Sequence, residues 1–311
     1  MQQLHTSLAE QIGNLPDESQ RKRRIRFHQG WWRAFVLTET AGPHPLRPGD
    51  TVCSMLNNGE SSEKNFFGPG TMDAVRETLV DRNKQAGGMI DERRLFNNML
   101  SSQPLLFNFF GPLRKDLPLA TRLVQALIPS IDEVTAIRFE YAPEQWIDNS
   151  AFDVKLEVTA QGQRGLIGLE SKFTEPFSPT IYDTAQYEKI ATRCGAFNVP
   201  YQAFMTPALN QLFRNQLIAE HEIEQKNVDF RMTGLFCEPG DASAIATGQA
   251  FGALLKDGAT SFHIITFARF IEALQMLPLT WPQREWSMML WARYCGQALS
   301  AGAYDTNRAR A

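Results

Sequence analysis

The chain has 311 residues, a formal net charge of −3, 43% hydrophobic and 21% charged residues, which is globular composition and length enough to bury a sizeable core. Near-neutral charge excludes a globally basic field for polyanions, although a local basic groove remains compatible with it. No run approaches the ~20 apolar residues of a membrane span, and the opening residues lack the apolar stretch of a signal peptide. Cys53, Cys194, Cys237 and Cys295 are far apart and match no zinc spacing, so free thiols in a reducing compartment are expected. These features predict a soluble, cytoplasmic protein with no membrane partner.

In chain order, residues 1–30 open with a short amphipathic helix and continue into the basic run Arg21-Lys22-Arg23-Arg24-Ile25-Arg26. Clustered arginine and lysine can contact phosphate; a solvated helix end is the preferred reading. Trp31, Trp32, Phe35, Val36 and Leu37 form an apolar run that fits a strand or a helix, with aromatic content pointing to the strand. Glycine, proline, serine and asparagine between Ala41 and Gly70 mark a long loop. Thr71 is expected to cap a helix reaching Gln85 and stopped by Gly87-Gly88. Asp91–Phe110 reads as a helix broken or kinked by Pro104, and Pro118–Ile128 as the next one, with Asp116 near its start.

Glu133–Tyr141 is the first clear strand. Ala151–Lys172 then reads as one hairpin: Phe152, Val154, Leu156 and Val158 alternate with Asp153, Lys155, Glu157 and Thr159, and a second, more apolar run ends in Glu170-Ser171-Lys172. Period-two alternation is a half-buried strand with its charges on the opposite face. A type II′ turn at Gly162-Gln163 would pair Gln161 with Arg164, Lys155 with Glu170 and Asp153 with Lys172, so that Asp153, Glu170 and Lys172 share a face. Helices over Asp183–Cys194 and Pro207–Asn227, a strand over Arg231–Cys237, a helix over Ala244–Lys256 and a strand over Ser261–Phe267 follow. Helices over Arg269–Met276 and Arg284–Leu299 and a frayed tail from Ala301 complete the chain; His263 reads as a sheet histidine.

Two carboxylates and an ammonium on one side of a sheet are the parts of a magnesium-dependent phosphodiesterase. Magnesium takes one or two carboxylates and fills its remaining positions with water and phosphate, and a lysine adds a compact positive charge. The competing reading is a surface sheet with cross-strand ion pairs, Lys155 with Glu170 and Asp153 with Lys172, each worth little. Acid-x-Lys triplets occur three times, at Asp153-Val154-Lys155, Glu170-Ser171-Lys172 and Glu224-Gln225-Lys226. Only the second ends an apolar strand that follows another acid-bearing strand. There is no GxxxxGK[ST] loop, GxSxG elbow or HExxH.

Asp153 followed by Glu170-Ser171-Lys172, within SAFDV and GLIGLESKFTE, resembles the PD-(D/E)xK nuclease superfamily, in a bacterial branch, with Phe152 where the eponymous proline would stand. The resemblance covers roughly the central half of the chain. It implies an α/β, restriction-endonuclease-like αβββαβ core, with a mixed central sheet flanked by helices and with N-terminal and C-terminal helical extensions. The corresponding division is an N-terminal extension over 1–88, the nuclease-like core over 89–275 and a C-terminal helical segment over 276–311. It also implies a metal-dependent nuclease acting on nucleic acid, with DNA the leading substrate and RNA the alternative, and with Mg2+ or Mn2+ held by Asp153, Glu170 and the Ser171 carbonyl. Lys172 would position or activate the attacking water. Superfamily members often add an acid from a preceding helix, for which Glu92 is the best match and Glu140 its rival. One branch of exonucleases carries a glutamine followed four residues later by tyrosine; Gln186 matches the first and Ile190 departs from the second. Double-strand cleavage would favour a homodimer. The alternative is a catalytically silent binding module on the same fold.

Overall fold

The structure, a computed structural model, describes residues 12–13, 15–82, 90–144 and 146–308. The opening amphipathic helix, for the most part, and the Gly87-Gly88 stop lie outside them. The centre is a five-stranded mixed sheet of β3 (Glu133–Tyr141), β4 (Phe152–Ala160), β5 (Gln163–Lys172), β6 (Phe230–Cys237) and β7 (Phe262–Thr266), ordered 3-4-5-6-7. β3, β4 and β5 are antiparallel, while β5, β6 and β7 run parallel. β1 (Ala41–Pro43) and β2 (Thr51–Leu56) form a separate ribbon.

Helices of six residues or more are α1 (Gln20–Trp31), α2 (Thr71–Arg82), α3 (Glu92–Asn97), α4 (Ser102–Lys115), α5 (Leu117–Leu127), α6 (Ala185–Cys194), α7 (Asn210–Glu224), α8 (Ala242–Ala253), α9 (Phe267–Gln275), α10 (Trp281–Leu290) and α11 (Ala301–Arg308). Parallel strands need long crossovers, and α6–α7 and α8 supply them. Val154, Leu156 and Val158 of β4 and Ile167 and Leu169 of β5 pack into one core with Phe107, Phe109 and Phe110 of α4, Leu123 of α5 and Phe270 of α9. Leu212, Phe213 and Leu217 of α7 build a second core with Leu235 of β6 and Phe251 of α8. The fold is the restriction-endonuclease-like one, with the helix–three strands–helix–strand order that the sequence suggests.

The hairpin turn falls one residue earlier than its sequence predicts. Ala160 pairs with Gln163 and Lys155 with Gly168, and Gln161 and Gly162 both have positive φ, at 52° and 76°. That is a type I′ rather than a type II′ loop, and its twist matches the flanking strands. The cross-strand partners therefore shift by two residues from the expected Lys155–Glu170 and Asp153–Lys172. An even shift leaves every side chain on its original face. At Gly168 a Cβ would stand 2.2 Å from the Phe152 ring, so the aromatic ring crosses β5 where only glycine fits.

Three other expectations are corrected. Trp32–Val36 is a π-helical turn continuing α1, not a strand; helix packing against Leu56 and Met99 buries Trp32. Asp91–Phe110 is two helices, α3 and α4, but the break falls at residues 98–101 and not at Pro104, which sits in the first turn of α4, where its missing N–H has no intrahelical partner. The tail is helical over Ala301–Arg308, anchored where Tyr304 meets Phe27 edge-on and Arg24 lies over its ring.

Three arginines of the basic run form neither a solvated end nor an open phosphate patch. Arg21 bonds Glu238, Asp241 and the Phe173 carbonyl, Arg24 bonds Ser300 and Gln297, and Arg26 bonds Glu18 and Ser54. These arginines fasten α1 to the rest of the molecule.

Candidate active site

The last ladder pair of β4 with β5 is Val154 with Leu169, so the two strands part just where Asp153 and Glu170 begin. Across this opening the Ser171 backbone N–H donates to Asp153 Oδ2 at 2.7 Å. The carboxylate takes the place of a ladder carbonyl and is tied to the Glu170–Lys172 segment. Lys172 Nζ donates to Glu170 Oε1 at 2.9 Å. Asp153 is half-buried, whereas Glu170 and Lys172 are only 3% and 6% exposed.

Helix α7 supplies the remaining partners of this pair. Gln211 Nε2 donates to Glu170 Oε1 at 2.5 Å and its Oε1 accepts from Lys172 Nζ at 2.9 Å. Asn215 Nδ2 donates to Glu170 Oε2 at 2.8 Å. Phe177 lies beside the ammonium, its ring centroid 4.9 Å away. Neither Gln211 nor Asn215 is singled out by the sequence, which shows Leu212 and Leu217 as an apolar face. The available signal is their spacing of four, which puts two amides on one helical face.

A third carboxylate joins from β3. Glu140 has φ +49°, a left-handed conformation that costs a side-chain-bearing residue roughly 1 kcal/mol, and its Oε1 accepts from Gln103 Nε2 of α4 at 3.1 Å. Burial, opposed by that hydrogen bond and reinforced by the charge of Glu170, pushes its carboxyl up to about 7. Burial, then Glu170 and Glu140, also holds Asp153 well above the usual carboxylate range, against the pull of Lys172 and the Ser171 N–H. For Lys172 burial acts to lower the pKa, but Glu170, Asp153 and Glu175 outweigh it and raise it. The amine is thus held as a cation.

Of the remaining residues suggested by the sequence, Glu92 is exposed in the first turn of α3. Gln186 is exposed on α6, beside a buried Tyr187 whose hydroxyl donates to Asp148. The acid brought into the cluster is Glu140, and the glutamine is Gln211. The expected ion pairs are replaced as well: Lys155 Nζ lies 3.5 Å from Glu222 and 3.8 Å from Glu157, and Lys172 turns to Glu170.

The donor chemistry fits a hard divalent cation. Asp153 and Glu170 act on one ammonium and Glu140 lies within Coulombic reach of both acids, and Asp153 Oδ1 carries no hydrogen bond among the described residues. Glu170 receives three donors on two oxygens with about four acceptor sites. Among the described residues no three histidine, cysteine or acidic side chains are grouped so as to hold a metal ion; magnesium is bound by one or two carboxylates with several waters.

Among the described residues no helix is long and apolar enough to cross a membrane. A family model described as the PD-(D/E)XK nuclease superfamily matches residues 16–296. Neither a curated protein nor a solved structure matches the chain.

Proposed function

Because the chain belongs to the PD-(D/E)XK nuclease superfamily, we propose that it is a metal-dependent nuclease that hydrolyses phosphodiester bonds in DNA at Asp153, Glu170 and Lys172. The observation that carries this reading is the meeting of these three residues, together with Glu140, where two neighbouring strands separate. Asp153 and Glu170, with the Ser171 carbonyl, would hold a Mg2+ or Mn2+ ion. Such an ion supplies Lewis acidity toward the phosphate and lowers the pKa of a bound water.

The protein's own groups do the rest. The Lys172 ammonium, fixed by Glu170 and Gln211, orients the attacking water and offsets the negative charge that grows on the phosphate oxygens. Gln211 and Asn215 hold the Glu170 carboxylate in one orientation, as outer partners of ligating groups commonly do. Water adds to phosphorus, the 3′ oxygen leaves as a hydroxyl after taking a proton, and the other fragment carries the 5′-phosphate.

The test compares wild type with Asp153→Ala and Lys172→Ala on single- and double-stranded DNA with magnesium or manganese. Loss of a preorganised charge-stabilising group costs about 10²–10³ in rate, and drops of that size are expected in both variants. Undiminished cleavage in both variants would refute the assignment. DNA binding indifferent to metal, with no cleavage by wild type, would instead mark a silent module.

A further inference from the structure

Beside the candidate active site runs a cleft of about 270 Å³, lined in part by Lys22, Arg26, His44, Asn98, Thr174 and Glu175. Thr174 and Glu175 follow directly on the strand that carries Lys172, and Glu175 lies within Coulombic reach of that lysine. Arg94 bonds Glu175 at 2.6 Å, and its charge also acts on Glu140. The cleft and the carboxylate cluster are thus joined through Arg94 and Glu175.

The charges lining this cleft do not cancel. Arg26 is held by Glu18 at 2.6 Å, and Glu175 is matched by Arg94. The ammonium of Lys22 carries no ion pair among the described residues, and His44 lies half-buried nearby. The surplus is one fixed cation with a titratable imidazole beside it, facing a space just outside a site proposed to act on phosphodiesters. At about 270 Å³ the space falls below the ~300–1,000 Å³ of ordinary ligand pockets. A space of this size can admit a sugar–phosphate segment of one strand but cannot enclose a duplex.

We propose that this cleft is a backbone subsite for a single nucleic-acid strand, in which Lys22 holds a phosphate neighbouring the scissile one while Arg26 shapes its wall and Arg94 holds Glu175 at its edge. The proposal rests on the nuclease reading and names where its substrate continues. It assigns the one lysine of the basic run to substrate, while Arg21, Arg24 and Arg26 serve the fold.

The experiment measures binding of a fluorescein-labelled single-stranded oligodeoxynucleotide by anisotropy, without divalent metal, across a salt series. The proteins are wild type, Lys22→Gln, Lys22→Arg and, as a control, Lys115→Gln at the far end of α4. One lost phosphate contact lowers the slope of log K against log salt by about 0.7 for a single strand. Lys22→Gln is expected to show that change with roughly fivefold weaker binding at low salt, while Lys22→Arg and Lys115→Gln keep the wild-type slope. A Lys22→Gln slope equal to wild type, or no binding of the single strand by wild type, overturns the subsite. Because cleavage by wild type and Asp153→Ala is scored separately, either result leaves the nuclease reading to stand or fall on its own test.

Discussion

Glu170 is the residue on which the candidate site turns. Its two oxygens receive Lys172, Gln211 and Asn215, and burial makes each of these hydrogen bonds costly to lose. Gln211 is the most connected of the three, since it also accepts from Lys172 and from the Ser178 backbone at 3.3 Å. Gln211→Ala frees both members of the acid–amine pair without touching either. Metal-dependent cleavage is expected to fall about 10–100-fold, the usual cost of losing an outer partner, with stability lowered by about 1–3 kcal/mol because buried groups lose a partner. Full activity in this variant would show that Glu170 and Lys172 orient themselves.

At the scale of the element, the β4–β5 hairpin positions the site through parity. Its type I′ loop puts Gln161 at φ 52°, a conformation that asparagine adopts more readily than glutamine. Gln161→Asn is expected to stabilise the protein by about 0.5–1 kcal/mol, read as a higher denaturant midpoint at unchanged slope. A lower midpoint would mean that Gln161 is held by something other than its turn. The same hairpin shows why a turn assignment can be wrong by one residue and still give the correct face. Moving the loop by one shifts the partners by two, and side chains repeat every two residues. Asp153 thus meets the Glu170–Lys172 segment in either register.

Across the whole molecule, residues distant in sequence close around the sheet. Trp286 of α10 is buried in the main core and donates to the Asn108 carbonyl of α4 at 2.8 Å. His28 of α1 bonds the Ala292 carbonyl and the Ser300 hydroxyl, each at 2.9 Å. A carbonyl only accepts, so Nε2 carries the proton and Nδ1 accepts from the serine. Burial, with the Ala292 carbonyl opposing it and Arg24 and Arg293 adding to it, pulls the imidazole down to about 4. The folded state therefore binds fewer protons than the unfolded state between pH 4 and 6.5. Stability from this group is complete above about 6.5 and is lost as pH falls toward 4, a change on the order of 3 kcal/mol. Denaturant midpoints at pH 7 and 5 should differ more in wild type than in His28→Gln; equal differences would remove His28 as the cause.

Local alternation by itself brought Asp153 opposite the Glu170–Lys172 segment, because a one-residue move of the loop shifts cross-strand partners by two; strict alternation then breaks at Asp153, since Phe152 packs with Leu166 while Val154 enters the other core. Local pattern likewise determined the order of helices and strands from Glu133 onward, since each period is written within a few residues; in the first part it missed β1 and β2, which lie inside the stretch read as one long loop over Ala41–Gly70. Only the tertiary structure decided which outside groups complete the cluster. Glu140 enters instead of Glu92, and Gln211 instead of Gln186, because helix packing and the left-handed kink at the end of β3 set those distances. Nor does composition separate Lys22 from the arginines beside it. Their roles diverge only when α1 docks against Glu238, Asp241 and Ser300, contacts between residues more than 200 positions apart that no local pattern encodes.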